Sequence, residues 1–305
     1  MNDHRDLVVP SHAQPTVALA LGTGGARGLA HIGAIEAIEA TGYRIIAVSG
    51  SSIGALIGGV YAAGKLDVYR DWVCALQKMD VLKLVDWTLS GAGLIKGERI
   101  IDVLRELIGE VNIEELTIPF TAVATDLDRE REVWLTRGPL FDAIRASIAI
   151  PTIFRPHPVN GHRLVDGGLM NPLPLTPLLQ SPSDYTVAVN VNSAPETLAA
   201  SRAPVKQSAR TGLRSRIAAF VKRTIRNHDD KVGEPGWMDT LTQSLDLMQQ
   251  NLTGFRLAAD RPDLVIEIPR NASAVYEFYR ASELIALGRE RTERALKAWQ
   301  PATGR

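Results

Sequence analysis

The chain has 305 residues, of which 34 are basic and 34 acidic, so its formal net charge at pH 7 is +0. This balance excludes a general electrostatic attraction to nucleic acid, although it is compatible with a local basic patch. The single cysteine, Cys74, excludes an intrachain disulfide and favours a reducing compartment.

The amino-terminal residues 1–15 contain no apolar run of signal-peptide length, and we expect them to be disordered. The longest segment of low polarity, residues 53–64, has twelve residues, whereas a helix needs about 20 to span a bilayer. We therefore expect a cytoplasmic protein, either soluble or peripherally bound to a membrane, with no signal peptide and no transmembrane helix.

The first elements alternate between strands and helices. Residues Thr16–Leu21 form a short apolar run that ends at a glycine cluster and predicts a buried strand. Leucine and isoleucine then recur every three residues over 29–38, which predicts a helix capped by Gly42. A second strand at 45–48 and a second helix at 53–63 repeat this order. The alternation favours an α/β fold with a parallel sheet and helices on both faces.

The rest of the chain continues the α/β pattern. Further helices are predicted at 67–84, 96–109, 139–148 and 276–299, and further strands at 118–125, 132–135, 163–165, 185–191 and 264–268. We expect residues 16–300 to form a single domain.

One segment, at about 200–233, departs from the average composition. Residues 202–231 contain nine basic side chains against two acidic ones, and their apolar residues share one helical face. One interpretation is a solvated surface helix or a mobile insertion between two strands. The other is an interfacial helix that contacts an anionic membrane through four cations, Arg214, Arg216, Lys222 and Arg223.

A G-x-S-x-G motif follows the second predicted strand and opens the second predicted helix. Its serine is Ser52, and its glycines are Gly50 and Gly54. In this context the serine occupies a sharp turn that exposes its hydroxyl, and the glycines let strand and helix approach closely. The motif therefore predicts a nucleophilic serine at the start of a helix, where developing negative charge is stabilised.

A glycine loop, residues 22–28 with the sequence G-T-G-G-A-R-G, joins the first strand to the first helix. Such a loop exposes backbone N–H groups that can bind a phosphate or the oxyanion of a tetrahedral intermediate. The spacing matches neither G-x-G-x-x-G nor the phosphate loop G-x-x-x-x-G-K-[ST], because Arg27 and Leu29 occupy required positions. Nucleotide binding is therefore disfavoured, and the oxyanion interpretation gains weight.

Asp166, Gly167 and Gly168 form a D-G-G sequence, which by itself predicts a turn. It becomes a candidate site because no histidine is well placed to act as a base. Of the six histidines, His31 lies within the first predicted helix, and His157 and His162 lie in a predicted loop. The other three lie at the amino terminus or in the basic segment.

Together, the three motifs resemble those of the patatin-like phospholipases. The similarity is to the bacterial branch related to the catalytic domain of neuropathy target esterase, and it covers roughly residues 17–288. Residues 143–151, A-I-R-A-S-I-A-I-P, and residues 171–174, N-P-L-P, are also similar to segments that flank the D-G-[AG] motif of this family.

The resemblance implies a three-layer α/β/α sandwich with a mainly parallel central sheet and a Ser–Asp dyad that needs no histidine, metal or cofactor. By position, Ser52 is then the nucleophile and Asp166 the general base. The backbone around four residues forms the oxyanion hole: Gly24, Gly25, Arg27 and Gly28. Thr23 departs from the family pattern, in which many members have a third glycine.

We therefore expect an acyl hydrolase that cleaves carboxylic esters of lipids, such as phospholipids or lysophospholipids. One alternative is a Ser-His-Asp triad that combines Asp126 or Asp128 with His157 or His162. Another is a lipid-binding regulatory module of the same fold with weak catalysis. Neither nucleic acid nor a nucleotide is an expected partner.

Overall fold

The computed structural model describes residues 14–84, 97–151, 153–197 and 237–300. Two compact units are present: residues 1–196 with 248–305, and residues 197–247. Most of the proposed disordered terminus and the whole basic segment at 202–231 lie outside the described residues. The membrane contact through Arg214, Arg216, Lys222 and Arg223 therefore stays a prediction, as does the assignment of 16–300 to one domain.

In the part of the chain that the structure describes, eight strands form one sheet. The strands are β1 (Thr16–Leu21), β2 (Arg44–Ser51), β3 (Phe120–Asp126), β4 (Arg131–Leu135), β5 (His157–Val159), β6 (His162–Asp166), β7 (Tyr185–Ser193) and β8 (Leu264–Pro269). Their order is β5-β6-β3-β2-β1-β7-β8, and β4 also pairs with β3. The run from β3 to β8 is parallel, and the pairs that involve β4, β5 and β6 are antiparallel.

The helices are α1 (Ala30–Ala40), α2 (Ile53–Ala62), α3 (Leu66–Ala75), α4 (Lys78–Leu84), α5 (Glu98–Ile108), α6 (Leu140–Ser147), α7 (Trp237–Asp260) and α8 (Ala281–Ala298). A short 3₁₀ helix, Gly25–Leu29, precedes α1. Among the described residues, none of these helices is long and apolar enough to cross a bilayer.

Alternation along β1 shows how the sheet is covered on both faces. Large side chains at positions 17, 19 and 21 belong to the main core, to which α1, α2 and α8 also contribute. The small side chains of Ala18 and Ala20 face a second core with Leu173, Leu175 and Leu178, against which Leu257 of α7 packs. Because successive side chains of a strand point to opposite faces, β1 requires an apolar layer on each side. The predicted α/β/α sandwich with a mainly parallel sheet is confirmed.

Helices α1 and α8 approach each other closely through two glycines. A side chain on Gly33 would overlap the carbonyl oxygen of Ile285, and one on Gly288 would overlap that of Ala30. The missing side chains let the two backbones touch, so the carboxyl-terminal helix packs directly on the helix that follows the glycine loop.

Several predicted elements differ from the observed ones. The region predicted as a single helix at 67–84 contains two helices, α3 and α4, because the backbone becomes extended at Leu76. The last helix begins at Ala281, after a short 3₁₀ turn, and not at 276. Strand β5 and helix α7 were not predicted.

Candidate active site

Ser52 occupies the tight turn between β2 and α2. Its backbone angles are φ 56° and ψ −125°, a conformation that non-glycine residues rarely adopt. Such a conformation costs about 1–3 kcal/mol, and it persists only where the surrounding structure enforces it. The turn brings the side chain out of the strand and into the site, as the G-x-S-x-G motif predicts.

The two glycines of the motif are required by close backbone approach. A side chain on Gly50 would overlap the carbonyl oxygen of Gly54, and one on Gly54 would overlap the carbonyl oxygen of Leu21. Gly54 therefore lets α2 rest directly on the end of β1, next to the glycine loop.

The hydroxyl of Ser52 donates a hydrogen bond to the carboxylate of Asp166, with 2.6 Å between Oγ and Oδ2. Each residue is only 3% exposed. Asp166 ends β6, and its other carboxylate oxygen accepts from the N–H of Gly168 at 2.7 Å. A side chain on Gly167 would overlap the carbonyl oxygen of Val123. The D-G-G turn therefore fits closely against β3 and directs the carboxylate toward Ser52.

The environment of Asp166 raises the pKa of its carboxyl group from 3.8 to about 6. Burial is the main cause, because the ionised form loses its hydration. The hydrogen bonds from Ser52 and Gly168 act in the opposite direction and lower the pKa. No cationic side chain in the described part of the chain contributes to this shift. The carboxylate is therefore more basic than an exposed aspartate, which suits proton transfer near neutral pH.

The glycine loop is held in shape by buried side chains. Arg27 is buried, and its Nε donates to the carbonyl oxygen of Gly24 at 3.0 Å, while Nη1 donates to that of Arg270 at 3.0 Å. Asn192 donates to the carbonyl oxygen of Thr23 at 2.9 Å. These contacts fix the carbonyl groups of the loop, so its N–H groups have a defined direction.

The loop lies against both the serine turn and the D-G-G turn. A side chain on Gly28 would overlap Ile53, which follows Ser52, and a Cβ on Gly168 would lie 3.0 Å from the methyl group of Thr23. The structure thus brings the three motifs together, and the threonine that departs from the family pattern contacts the turn after Asp166.

Three backbone N–H groups in the glycine loop and at the start of α2 are unpaired among the described residues. Within the described residues, the N–H groups of Gly24, Gly25 and Ile53 have no hydrogen-bond partner. Gly25 has a positive φ of 56° and begins the 3₁₀ helix, and Ile53 begins α2. Unpaired N–H groups at helix starts favour negative charge nearby.

The three histidines in the described part of the chain have other partners. His31 is fully buried, its Nε2 lies 2.8 Å from the carbonyl oxygen of Gly22, and burial lowers its pKa to about 4. It is therefore neutral at pH 7 and donates to the glycine loop. Nδ1 of His162 lies 3.7 Å from Oδ2 of Asp126, and Nε2 of His157 lies 3.9 Å from Oδ1 of Asp142.

One buried contact, that of Ser147 at the end of α6, could not be predicted from the sequence. Its Oγ accepts from the N–H of Ser52 at 2.9 Å and donates to the carbonyl oxygen of Val123 at 2.6 Å. Ser147 belongs to the A-S-I-A-I-P segment that is similar to the family. A serine at a helix end does not by itself predict a contact with a residue 95 positions away.

Comparison with known families is consistent with this arrangement. Residues 19–179, more than half of the chain, match the model of the family described as patatin-like phospholipase. The chain belongs to the patatin-like phospholipase family. The predicted resemblance is thereby confirmed, and with it a general assignment to a family of lipid hydrolases.

Two kinds of relatives support the assignment. Uncharacterized NTE family proteins of Mycobacterium tuberculosis and Mycobacterium bovis are each 38% identical over 341 residues, covering 96% of this chain and 95% of theirs. Neuropathy target esterase sws of Drosophila melanogaster is 32% identical over 189 residues, covering 60% of this chain but only 13% of that protein.

Among solved structures, that of VipD from Legionella pneumophila is similar to this chain. It is 13% identical, with a TM-score of 0.43, and the likeness covers 94% of this chain and 67% of VipD. At this TM-score the likeness adds nothing to the family match.

Proposed function

We propose that this patatin-like protein hydrolyses carboxylic ester bonds of phospholipids or lysophospholipids, with Ser52 as nucleophile and Asp166 as general base. One observation carries the proposal: the 2.6 Å hydrogen bond from Ser52 to a buried carboxylate whose pKa is raised to about 6. A base that contacts the nucleophile directly and holds its proton more tightly than a free carboxylate can activate a serine.

In the first half-reaction, Oγ of Ser52 attacks the ester carbonyl carbon while its proton passes to Oδ2 of Asp166. The carbonyl π electrons move to oxygen and form a tetrahedral oxyanion. Collapse of this intermediate breaks the bond to the alcohol oxygen, which takes the proton from Asp166. The alcohol leaves, and the acyl group stays on Ser52 as an ester.

In the second half-reaction, Asp166 accepts a proton from a water molecule whose oxygen attacks the acyl carbon. A second tetrahedral oxyanion forms and collapses, and Oγ of Ser52 leaves with the proton from Asp166. The fatty acid is released and the dyad returns to its initial state.

The oxyanion of both steps would be stabilised by backbone N–H groups around Gly24, Gly25, Arg27 and Gly28. Gly24 and Gly25 are the best supported, because in the described part of the chain their N–H groups have no partner. The N–H of Ile53, at the start of α2, is a further candidate donor. A single donor of this kind contributes roughly 10²–10³-fold in kcat.

Labelling with a fluorophosphonate probe, followed by peptide mapping, tests the nucleophile. We expect Ser52 to be modified, and we expect Ser52→Ala to lose both labelling and release of fatty acid from phospholipid and lysophospholipid substrates. Loss of the nucleophile should lower kcat on the order of 10⁴-fold or more. Ser49→Ala, which removes another buried hydroxyl of β2, is the matched control and should keep its activity.

Measurements of vesicle binding and of hydrolysis distinguish the alternatives. Binding of lipid vesicles without hydrolysis by the wild-type protein would favour a regulatory module. A large loss of kcat in His157→Ala or His162→Ala would favour a triad. One distance disfavours the triad. His162 begins β6 and Asp166 ends it, so four residues of strand, about 13 Å, separate His162 from the carboxylate that Ser52 contacts.

A further inference from the structure

Two residues near the end of α6 contact the backbone of both members of the dyad. The hydroxyl of Ser147 accepts the N–H of Ser52 at 2.9 Å. Two residues later, the carbonyl oxygen of Ala149 accepts the N–H of Asp166 at 3.0 Å. Ser52 and Asp166 are 114 positions apart in the sequence, so this short segment is a physical link between them.

The orientation of the Ser147 hydroxyl is fixed on both sides. It accepts from Ser52 and donates to the carbonyl oxygen of Val123 in β3 at 2.6 Å, and the residue is fully buried. A hydroxyl has one proton to donate, so the donation to Val123 leaves its lone pairs for the N–H of Ser52. The hydroxyl therefore acts as a rigid bridge between β3 and the serine turn.

We propose that Ser147 is a positioning residue for ester hydrolysis, which holds the backbone of Ser52 at the angle from which Oγ reaches Asp166. The proposal rests on the proposed function, in which Ser52 is the nucleophile.

The backbone of Ser52 gives the reason why such a bridge matters. Its φ of 56° is unfavourable for a residue with a side chain. The hydrogen bond from its N–H to Ser147 opposes relaxation toward ordinary angles. Relaxation would swing Oγ away from Asp166, and a displacement of about 1 Å in a reacting group can cost on the order of 10²-fold in rate.

The pH dependence should report the same displacement. The hydrogen bond from Ser52 lowers the pKa of Asp166 and so opposes the effect of burial. If Oγ moves away, this opposing effect disappears, and the acidic limb of the kcat/KM profile shifts to higher pH. A residue that only supports packing would lower the folded fraction but leave the midpoint of that limb unchanged.

The experiment compares Ser147→Ala, Ser147→Thr and the control Ser49→Ala in the full chain. Ser49 is equally buried, lies on β2 and donates its hydroxyl to the carbonyl oxygen of Pro174, not to the dyad. For each variant, we would measure the melting temperature, kcat and KM with a soluble ester, the pH profile of kcat/KM, and the rate of fluorophosphonate labelling.

For Ser147→Ala we expect kcat and the labelling rate to fall about 10–100-fold, KM to change less than about threefold, and the acidic limb to shift to higher pH. Ser147→Thr keeps the hydroxyl and should recover most of kcat. Ser49→Ala should have a lower melting temperature but an unchanged kcat. Equal kcat in Ser147→Ala and Ser49→Ala, with an unshifted acidic limb, would overturn the proposal.

If Ser147→Ala does not fold, Ser147→Cys carries the test, because sulfur fills the site but accepts a hydrogen bond weakly. A reduced kcat with a shifted acidic limb is expected, and wild-type values of both would overturn the proposal. Failure of the proposed function gives a different result: Ser52→Ala would then retain activity and the probe would label another residue.

Discussion

The two ends of strand β6 hold carboxylates in opposite electrostatic environments. At its start, Arg163 forms an ion pair with Asp128 of the turn between β3 and β4, with 2.7 Å between Nη2 and Oδ1, and this partner lowers the pKa of Asp128. At its end, within the part of the chain that the structure describes, the carboxylate of Asp166 accepts hydrogen bonds only from uncharged groups, the hydroxyl of Ser52 and the N–H of Gly168, and burial raises its pKa to about 6.

The difference illustrates how the surroundings of a carboxylate set its proton affinity. An arginine stabilises the ionised form and makes the carboxylate a poor proton acceptor, whereas burial among neutral donors keeps the proton affinity high. The ion pair at the start of β6 therefore stabilises the turn between β3 and β4. The carboxylate at the end of β6 has the higher proton affinity that proton transfer needs.

Exchanging each carboxylate for an amide is the strongest test of this contrast. We expect Asp166→Asn to lower kcat on the order of 10⁴-fold, because an amide of nearly the same shape cannot accept the proton from Ser52. Asp128→Asn should keep kcat within about threefold, because surface substitutions away from a site have small effects. The measurement is steady-state hydrolysis of a soluble ester; similar losses in the two variants would show that the contrast has no catalytic meaning.

The pH profile gives a second, smaller effect. Because the base must be ionised, kcat/KM should be constant well above pH 6 and should decrease about tenfold per pH unit below a midpoint near the pKa of Asp166, about 6. Asp128→Asn should retain the same midpoint. A midpoint near 4 would mean that the raised pKa of Asp166 does not govern activity.

The folding free energy should change with opposite sign at the two ends. Asp166 has a higher pKa in the folded protein than in the unfolded chain, so its ionisation destabilises the fold above pH 6, and this cost disappears below pH 4. A shift from 3.8 to about 6 corresponds to about 3 kcal/mol. At pH 8, Asp166→Asn should therefore be more stable than wild type by up to that amount.

Asp128 has a lowered pKa, so its ion pair stabilises the fold above the unfolded pKa, and this contribution is lost as pH falls through the folded pKa. Asp128→Asn should thus be slightly less stable at pH 8. Denaturant unfolding at pH 8 measures both differences, and a repeat at pH 4 shows whether the Asp166 difference disappears. If Asp166→Asn is less stable than wild type at pH 8, the ionised carboxylate stabilises the fold, and the proposed difference between Asp166 and Asp128 is wrong.

The sequence predicts much of the candidate site because the motifs are local. Gly50 and Gly54 flank Ser52 within one turn, and the strand-to-helix context of that turn can be recognised from apolar runs. The partner of Ser52 was harder to predict. The assignment of Asp166 came from the family resemblance and from the positions of the histidines, since no local signal marks a carboxylate that is 114 residues away.

What the sequence did not reveal depends on long-range packing. The contact of Ser147 with Ser52 forms only when α6 packs beside β3. The break between α3 and α4 at Leu76 has no proline or glycine to mark it, so the apolar pattern appeared continuous. Strand β5 has only three residues, and it is a strand because it pairs with β6, a contact that no local pattern predicts.

The glycine-mediated crossing of α1 and α8 determines where the folding unit can end. The stretch that matches the family stops at residue 179, ahead of β7, β8 and α8. Yet β7 pairs with β1, and α8 lies backbone against backbone on α1 through Gly33 and Gly288. A fragment truncated at residue 179 would expose an edge of β1 and an apolar face of α1, and we expect it to aggregate. The end of the family match and the end of the folding unit are therefore different in this chain, and we expect only the longer unit to fold.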